Sequence, residues 1–402
     1  MIDLNKFKNI PYTKRTNCMV CGESLSQPLI NLPNFPLTEI YVKEISPEKV
    51  GFVDQEFHFC ENCGHGQIAN IILPEILYKE NYMTRTSISQ SAINSLNIFL
   101  EFINNVRGNN EAKTIMDIGC NDLYALKKFR SNAEILYGID PIFIGKEKST
   151  EEKIEIIGDF VENVDFSKLK KPDIVFSSHT LEHIENPKKL IKSLIDNSGP
   201  NTLFFFQFPG LETLVQDAKF DQIFHQHLNY FSLKSVIALL NEVKAELIEY
   251  KVNPCHWGSL MVAFKKSNNS DNFKFNPPQI TKEIILNQYT LFIENMNLVN
   301  KRISSLKHNP IYGYGAAQML PILNYYIRSL SEIRGIIDDN KSKQGLYYIN
   351  FPKRIMGPEE IGNLEKSVVI ITAINSKQSV RNITSKLIEL NIENIILPVN
   401  LI

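Results

Sequence analysis

The spacing of apolar residues divides the chain into three blocks of different character. From residue 17 to about 68, short apolar stretches are broken by Pro28, Pro33, Pro36 and Pro47, which predicts a small β-rich module held by something other than its core. Beyond Pro74, the stretch 89–106 puts Ile93, Leu96, Ile98, Leu100 and Phe102 on or near one side and predicts a helix. Short apolar runs follow at 114–118, 135–139, 154–157, 173–177 and 202–208, separated by helix signals such as Asn186-Pro187-Lys188-Lys189-Leu190. Runs of that length alternating with helices predict a doubly wound parallel sheet. A polar stretch, 265–278, with Asn268, Asn269, Ser270 and the Pro277-Pro278 pair, reads as a linker. After it come a long amphipathic helix at 281–306, a strand at 311–314, a helix at 319–330 and strands at 335–338 and 367–372, so the last third is a second α/β unit. The expected domains are therefore 1–70, 71–266 and 280–402.

Length and composition agree with this division. The chain has 402 residues, enough for two or three cores, and its 24 Phe and 15 Tyr argue for well-filled ones. With 43 basic and 44 acidic residues the net charge is −1, which gives no global grip on nucleic acid or an anionic membrane. Lys6 and Lys8 interrupt the first ten residues, and no run approaches the ~18 apolar residues of a membrane span. A cytoplasmic protein with neither nucleic acid nor membrane as partner is expected.

Four of the six cysteines form two pairs, Cys18-Met-Val-Cys21 and Cys60-Glu-Asn-Cys63, with Gly22 and Gly64 following. Glycine at that place suits a tight turn whose amides point at thiolates, and four sulfurs complete a tetrahedral zinc shell. A shell filled by protein leaves no position open for catalysis, so the zinc is structural. Four cysteines suffice, which leaves His58 and His65 for the surface.

A second constellation runs through the central block. Ile115-Met-Asp117-Ile-Gly119-Cys-Asn121-Asp122 is a strand entering a tight loop, and Asp140, 21 residues after Gly119, ends the next strand where an acid takes ribose hydroxyls. Gly158-Asp159-Phe160 follows strand three, and Ser177-Ser178-His179-Thr-Leu-Glu-His183 follows strand four. This ordered set resembles the class I S-adenosylmethionine-dependent methyltransferases. The resemblance implies that Asp117, Gly119 and Asn121 cradle the methionine part of the cofactor and that Asp140 holds the ribose. It implies that Asp159 and Phe160 flank the adenine, with Ser178 and His179 completing the set.

The third is Phe224-His225-Gln226-His227-Leu-Asn229-Tyr230, followed by Asn253-Pro-Cys-His256-Trp-Gly258. Together with the cysteine frame, it resembles the sugar C-methyltransferases acting on nucleotide-linked keto-deoxysugars, over nearly the whole chain. That family has an N-terminal zinc-binding domain, a central methyltransferase domain and a C-terminal Rossmann-like domain with segments like Tyr312-Gly-Tyr-Gly315-Ala-Ala and Ile337-Asp338-Asp339-Asn340. The resemblance implies methylation of C3 beside the ketone of a 4-keto sugar through an enolate, with His227 as the general base. His225 and Gln226 belong to the same stretch, and His183 and Tyr82 are candidates to hydrogen-bond the developing oxyanion.

Three departures stand out. Leu123 replaces the family's loop glycine, where a side chain is expected to crowd the cofactor. Phe224-His225-Gln226-His227 replaces Tyr-His-Glu-His, so an amide stands for a carboxylate, and Gln318-Met319-Leu320-Pro321 replaces Lys-Gly-Asn-Thr. Two rival readings follow: a methyltransferase-like protein that binds a nucleotide sugar without methylating carbon, and an oxidoreductase, since Gly313-x-Gly315 and Asp338 imitate a dinucleotide fingerprint.

Overall fold

Alternation within the apolar runs decides how the central block is layered. Successive strand side chains point to opposite faces, so Phe204 and Phe206 enter one apolar layer while Phe205 enters the other. The structure, a computed structural model, describes residues 4–77, 85–146, 153–255, 258–267, 275–362, 364–374 and 377–398. The N-terminal block holds β1 (Tyr12–Lys14), β2 (Ile30–Pro36), β3 (Tyr41–Val42), β4 (Phe52–Cys60), β5 (His65–Ile68) and β6 (Asn70–Ile72). The central block holds β7 (Thr114–Ile118), β8 (Ile135–Ile139), β9 (Ile154–Ile157), β10 (Ile174–Ser178), β11 (Leu203–Pro209), β12 (Asn229–Tyr230), β13 (Ala245–Asn253) and β14 (Ser259–Lys266). The C-terminal block holds β15 (Ile311–Tyr314), β16 (Ile336–Ile337), β17 (Tyr347–Tyr348), β18 (Ile355–Met356), β19 (Val368–Ile371) and β20 (Asn394–Ile396).

Seven central strands form one sheet in the order β13-β14-β11-β10-β7-β8-β9. Strands β7 to β11 are parallel, but β14 is antiparallel to β11 and β13 to β14, so the sheet is mixed where an all-parallel one was expected. Four of the five parallel strands, β7, β8, β10 and β11, are almost wholly buried and read as short apolar runs, which is why they are legible, while β9 at the edge leaves Glu155 exposed. In β13 the pattern is blurred by half-exposed residues at one edge. Helices Pro187–Asp196 and Leu233–Glu242 cover one face, and Gln90–Arg107 covers the other. The long helices start where side chains cap them: Ser89, Asn186, Ser232 and Thr281 each accept a first-turn amide. Strand order reverses between β7 and β10, and the crevice at their carboxyl ends is where sheets of this kind take ligands.

The C-terminal block is a five-stranded parallel sheet, β18-β16-β15-β19-β20. Its expected helix at 319–330 is broken: Leu320–Tyr326 is α-helical, Ile327 leaves helical geometry, and Arg328–Glu332 is a 3-10 turn. Asn300 on the long helix Lys282–Ser305 accepts from both the amide and hydroxyl of Ser329, at 2.9 and 2.8 Å, and this draws the chain out of register. Helix Lys377–Glu389 and β20 complete the unit.

The N-terminal block is a wedge between the other two. Its sheet runs β12-β5-β4-β2, so the last strand is lent by the central block, and β3 pairs with β17 of the C-terminal block. Ile30, Leu32, Phe35 and Phe57 share one apolar layer with Phe292, Ile311 and Leu320, while Cys18, Val20 and Cys63 pack with Met116 and Phe231. No helix among the described residues is long and apolar enough to cross a membrane.

Candidate active site

The two cysteine pairs are each turned by a glycine in the left-handed region, Gly22 at φ +81° and Gly64 at φ +74°. In each turn the glycine amide donates to the carbonyl of the first cysteine, at 2.9 and 2.7 Å. Cys18 and Cys63 bring their Sγ atoms to 3.5 Å, as do Cys21 and Cys60, and all four lie within 4.8 Å of one another. Tetrahedral zinc at ~2.3 Å from each sulfur spaces them about 3.8 Å apart, so the residues fit that ion. A hydrogen bond from Cys63 pulls the Cys18 thiol down to about 5, while the same pairing pushes Cys63 far up. Four thiolates cannot coexist at these distances without a cation between them. His58 and His65 are not at the surface as expected: both are buried. His65 packs on Phe231 at 4.9 Å and meets Asn229 at 3.4 Å, and burial pulls its imidazole down to about 3.

A cleft of about 620 Å³ opens at the carboxyl ends of the central strands and is walled by all three blocks. Asp117, Gly119, Asn121, Asp140, Phe160, Ser178 and His179 line it. Gly119 has φ +77°, and a Cβ there would fall 1.9 Å from Thr180 Oγ1, so only glycine lets the loop after β7 turn. Asp140 accepts from the amides of Asn121 and Ile142 at 2.8 and 2.9 Å, which ties the ends of β7 and β8 together. Burial raises its carboxyl, and raises that of Asp117 well above the usual range, with Asp140's charge adding to the effect. Asp159 is set back from the wall and caps its own turn through the amide of Phe160 and the side chain of Asn163. Ser178 Oγ accepts from Gln207 at 2.6 Å, and His179 spans Glu182 and Ser259 at 3.3 and 3.1 Å.

Leu123 departs from its expectation. Its φ is +66°, the geometry that favours glycine, yet its side chain turns away from the cleft into the core, against Gly138.

His183, Gln226 and His227 reach the same cleft from the opposite wall. The rings of His183 and His227 meet edge to face at 4.9 Å, and His227 lies over Phe224 at 4.1 Å. His183 Nδ1 donates to the carbonyl of Gln226 at 2.7 Å, which fixes its tautomer. Gln226 spends its amide on Thr38: Oε1 accepts from the hydroxyl at 2.8 Å and Nε2 donates to the carbonyl at 3.3 Å. His225 does not line the cleft. It points into the N-terminal sheet, where Nε2 donates to the carbonyl of Phe35 at 3.2 Å and Nδ1 accepts from Gln55 at 3.1 Å. Burial pulls it down to about 4, so it is neutral. Tyr82 and His256 lie outside the described residues.

Several side chains of the site went unread in the sequence. Glu182 is 1% exposed at the cleft wall beside His183. Arg15, also buried, donates to the carbonyls of Leu228, at 2.9 Å, and of Glu185, clamping together the two segments that carry His227 and His183. From the C-terminal block Lys343 completes the wall together with Gln318 and Asn340, both of which stand in segments singled out above. Arg15 lies far in sequence from the active-site motifs and had no signal, whereas Lys343 lies three residues beyond Asn340 in a segment the resemblance had marked. Glu182 had one, its place next to His183.

Comparison with known proteins matches residues 96–250 to the family described as "Methyltransferase domain" and residues 18–78 to the one described as "Putative zinc binding domain". The chain is 22% identical over 250 residues to C-methyltransferase NovU from Streptomyces niveus, a match covering 61% of this chain and 59% of that protein's length. Among solved structures, N-methyltransferase NodS from Bradyrhizobium japonicum aligns with TM-score 0.35 and 14% identity over 48% of this chain and 95% of its own. Magnesium protoporphyrin IX methyltransferase from Synechocystis aligns with TM-score 0.33 and 13% identity, over 44% and 85%. The centre of this chain thus matches a methyltransferase-domain family and its N-terminal block a zinc-binding one, whose four cysteines stand close enough together to hold the ion.

Proposed function

We propose that this protein is a carbon methyltransferase acting on C3, beside the ketone of a nucleotide-linked 4-keto-deoxyhexose. The observation that carries the reading is the cleft itself, with the loop of β7 and Asp140 on one wall and His183 and His227 on the other. Asp140 would take ribose hydroxyls with lone pairs left over from its two amide bonds, and Phe160 and Ile142 offer apolar surface to a base. S-adenosylmethionine, when bound, supplies an electrophilic methyl group. Carbon is a nucleophile only as an enolate, so one residue must remove the C3 proton, and a neutral imidazole is suited to that near pH 7. His227 would take the proton, and His183, whose Nδ1 proton is spent on the carbonyl of Gln226, would hydrogen-bond the developing oxyanion once its Nε2 has received a proton. The four-cysteine zinc site has no open position and takes no part. That Asn340 and Lys343 share the wall with Glu39 and Tyr41 gives the cleft room and polar groups for the nucleotide-sugar end. The likeness to a C-methyltransferase of 22% identity supports carbon as the acceptor.

The test separates proton abstraction from methyl transfer. Enzyme, keto sugar and S-adenosylhomocysteine in heavy water should wash deuterium into C3 without methylation. His227→Asn should lose exchange and methylation together, by about 10²- to 10⁴-fold. Wild-type exchange in that variant would move the base elsewhere, and no exchange with any keto sugar would favour a binding protein that does not methylate carbon.

A further inference from the structure

The proton that His227 removes has to leave a residue that is 3% exposed. An imidazolium buried there without a counter-charge is costly, and it must be discharged before the next turnover. Gln226, at the place of the family's carboxylate, is neutral and tied to Thr38. A different carboxylate occupies the right place. Glu182, His183 and His227 each bring one nitrogen or oxygen to within 4.8 Å of the others. Glu182 Oε1 stands 3.3 Å from His179 Nδ1 and 4.0 Å from His183 Nε2, and its Oε2 is buried with no hydrogen-bond partner among the described residues. Because His183 Nδ1 carries the proton given to the carbonyl of Gln226, it is the lone pair of Nε2 that faces Glu182. The side chain of His183 is 24% exposed, so this chain of groups leads from a closed wall to an open one.

We propose that Glu182 receives the abstracted proton from His227 and passes it through His183 to solvent, a relay that rests on the reading of His227 as the base. In the first step an N–H bond of the imidazolium breaks and an O–H bond forms on the carboxylate. The charged pair becomes a neutral imidazole and a neutral acid. In the second the acid proton moves to His183 Nε2 and leaves that nitrogen for water, which restores the carboxylate and the neutral imidazole whose Nδ1 proton stays on the carbonyl of Gln226. A separation of 4.0 Å from Glu182 to His183, within a cluster no wider than 4.8 Å, calls for one bridging water or a small rotation. Glu182 acts through His227 and is a positioning residue, not one that touches the sugar. Burial lifts its carboxyl to about 7, with the charge of His183 opposing, so its proton affinity matches that of an imidazole. The titratable groups that face it are His179, His183 and His227, and burial holds His179 neutral at about 4. The same three side chains have the makings of a divalent-cation site, but an ion there would take the lone pair the base needs.

Glu182→Gln keeps the shape and removes the proton acceptor, and Glu182→Asp keeps the carboxylate. C3 deuterium exchange with S-adenosylhomocysteine bound is first measured in the wild type, where its absence would overturn the base reading itself. With wild-type exchange established, Glu182→Gln should lower it on the order of 10²-fold while S-adenosylhomocysteine binding, read by calorimetry, stays unchanged. The wild-type rate should rise through pH 7 as Glu182 loses its own proton, and that limb should vanish in Glu182→Gln and return in Glu182→Asp. An unchanged exchange rate and pH profile in Glu182→Gln would overturn the relay and leave His227 as the base. So would activity that requires an added divalent cation, with a second metal equivalent beyond the zinc.

Discussion

At the residue scale, the chemistry depends on which way each side chain turns. Leu123 and His225 show it most plainly, because each sits inside a functional motif and turns its side chain away from the cleft. Leu123 bears two opposed energies. A left-handed conformation costs a non-glycine residue roughly 1–2 kcal/mol, whereas deleting a buried leucine side chain costs about 2–5 kcal/mol. Packing wins. Leu123→Gly should therefore lower stability by about 1–3 kcal/mol in denaturant melts and leave cofactor affinity unchanged in calorimetry. A gain in affinity would mean that the leucine crowds the cofactor after all. His225→Asn should behave in a parallel way. It removes the groups that meet Phe35 and Gln55 and should cost about 1–3 kcal/mol for the buried partners left without it. C3 exchange per folded molecule should stay within a few-fold of wild type, and a loss as large as that of His227→Asn would place His225 in the chemistry.

At the scale of elements, the histidine stretch is a turn, closed by the His227 amide on the carbonyl of Phe224 at 3.1 Å, that leads into a short strand. β12 pairs with β5 through Asn229 opposite Gln67 and Tyr230 opposite Gly66, directly after the second cysteine knuckle. Ser232 Oγ donates to the carbonyl of Gly64 at 2.7 Å, and Arg15 grips the carbonyls of Leu228 and Glu185 from behind. The zinc knuckle is therefore the scaffold on which His227 and His183 are set. Removing zinc should loosen that scaffold before it disturbs Asp140, which hangs from β8 in the central sheet. Cys60→Ser, or zinc withdrawal by a chelator, should reduce C3 exchange by at least about tenfold while S-adenosylhomocysteine still binds. Equal loss of both would show that the module supports the whole central domain. Of these elements the parallel strands were legible, since β7, β8 and β9 match their apolar runs residue for residue. β12 was not, because two residues carry no periodicity and their pairing partner lies more than 150 positions away.

At the scale of the molecule, the cleft belongs to no single block. Glu39 and Tyr41 come from the first, His183 and His227 from the second, Gln318 and Lys343 from the third. Lys343 joins the first and the third at one point: its Nζ donates to the carbonyl of Ala316 at 2.7 Å and lies 5.3 Å over the ring of Tyr41.

The sequence by itself determined what local chemistry can write: the four-cysteine frame, the glycine and acid that end β7 and β8, and the apolar runs of the five parallel strands. Each is set by spacing over a few residues, where backbone geometry or a metal shell permits few alternatives. Only the tertiary structure decided which candidates face the cleft. His225 and His227 are two apart in one tight turn, yet one is taken by Phe35 and Gln55 and the other by the cleft. Glu182 became a candidate only when burial left one of its oxygens without a partner and the fold brought His227, 45 positions away, beside it. Burial and long-range contact set proton affinity and direction, and neither is written in the neighbouring residues.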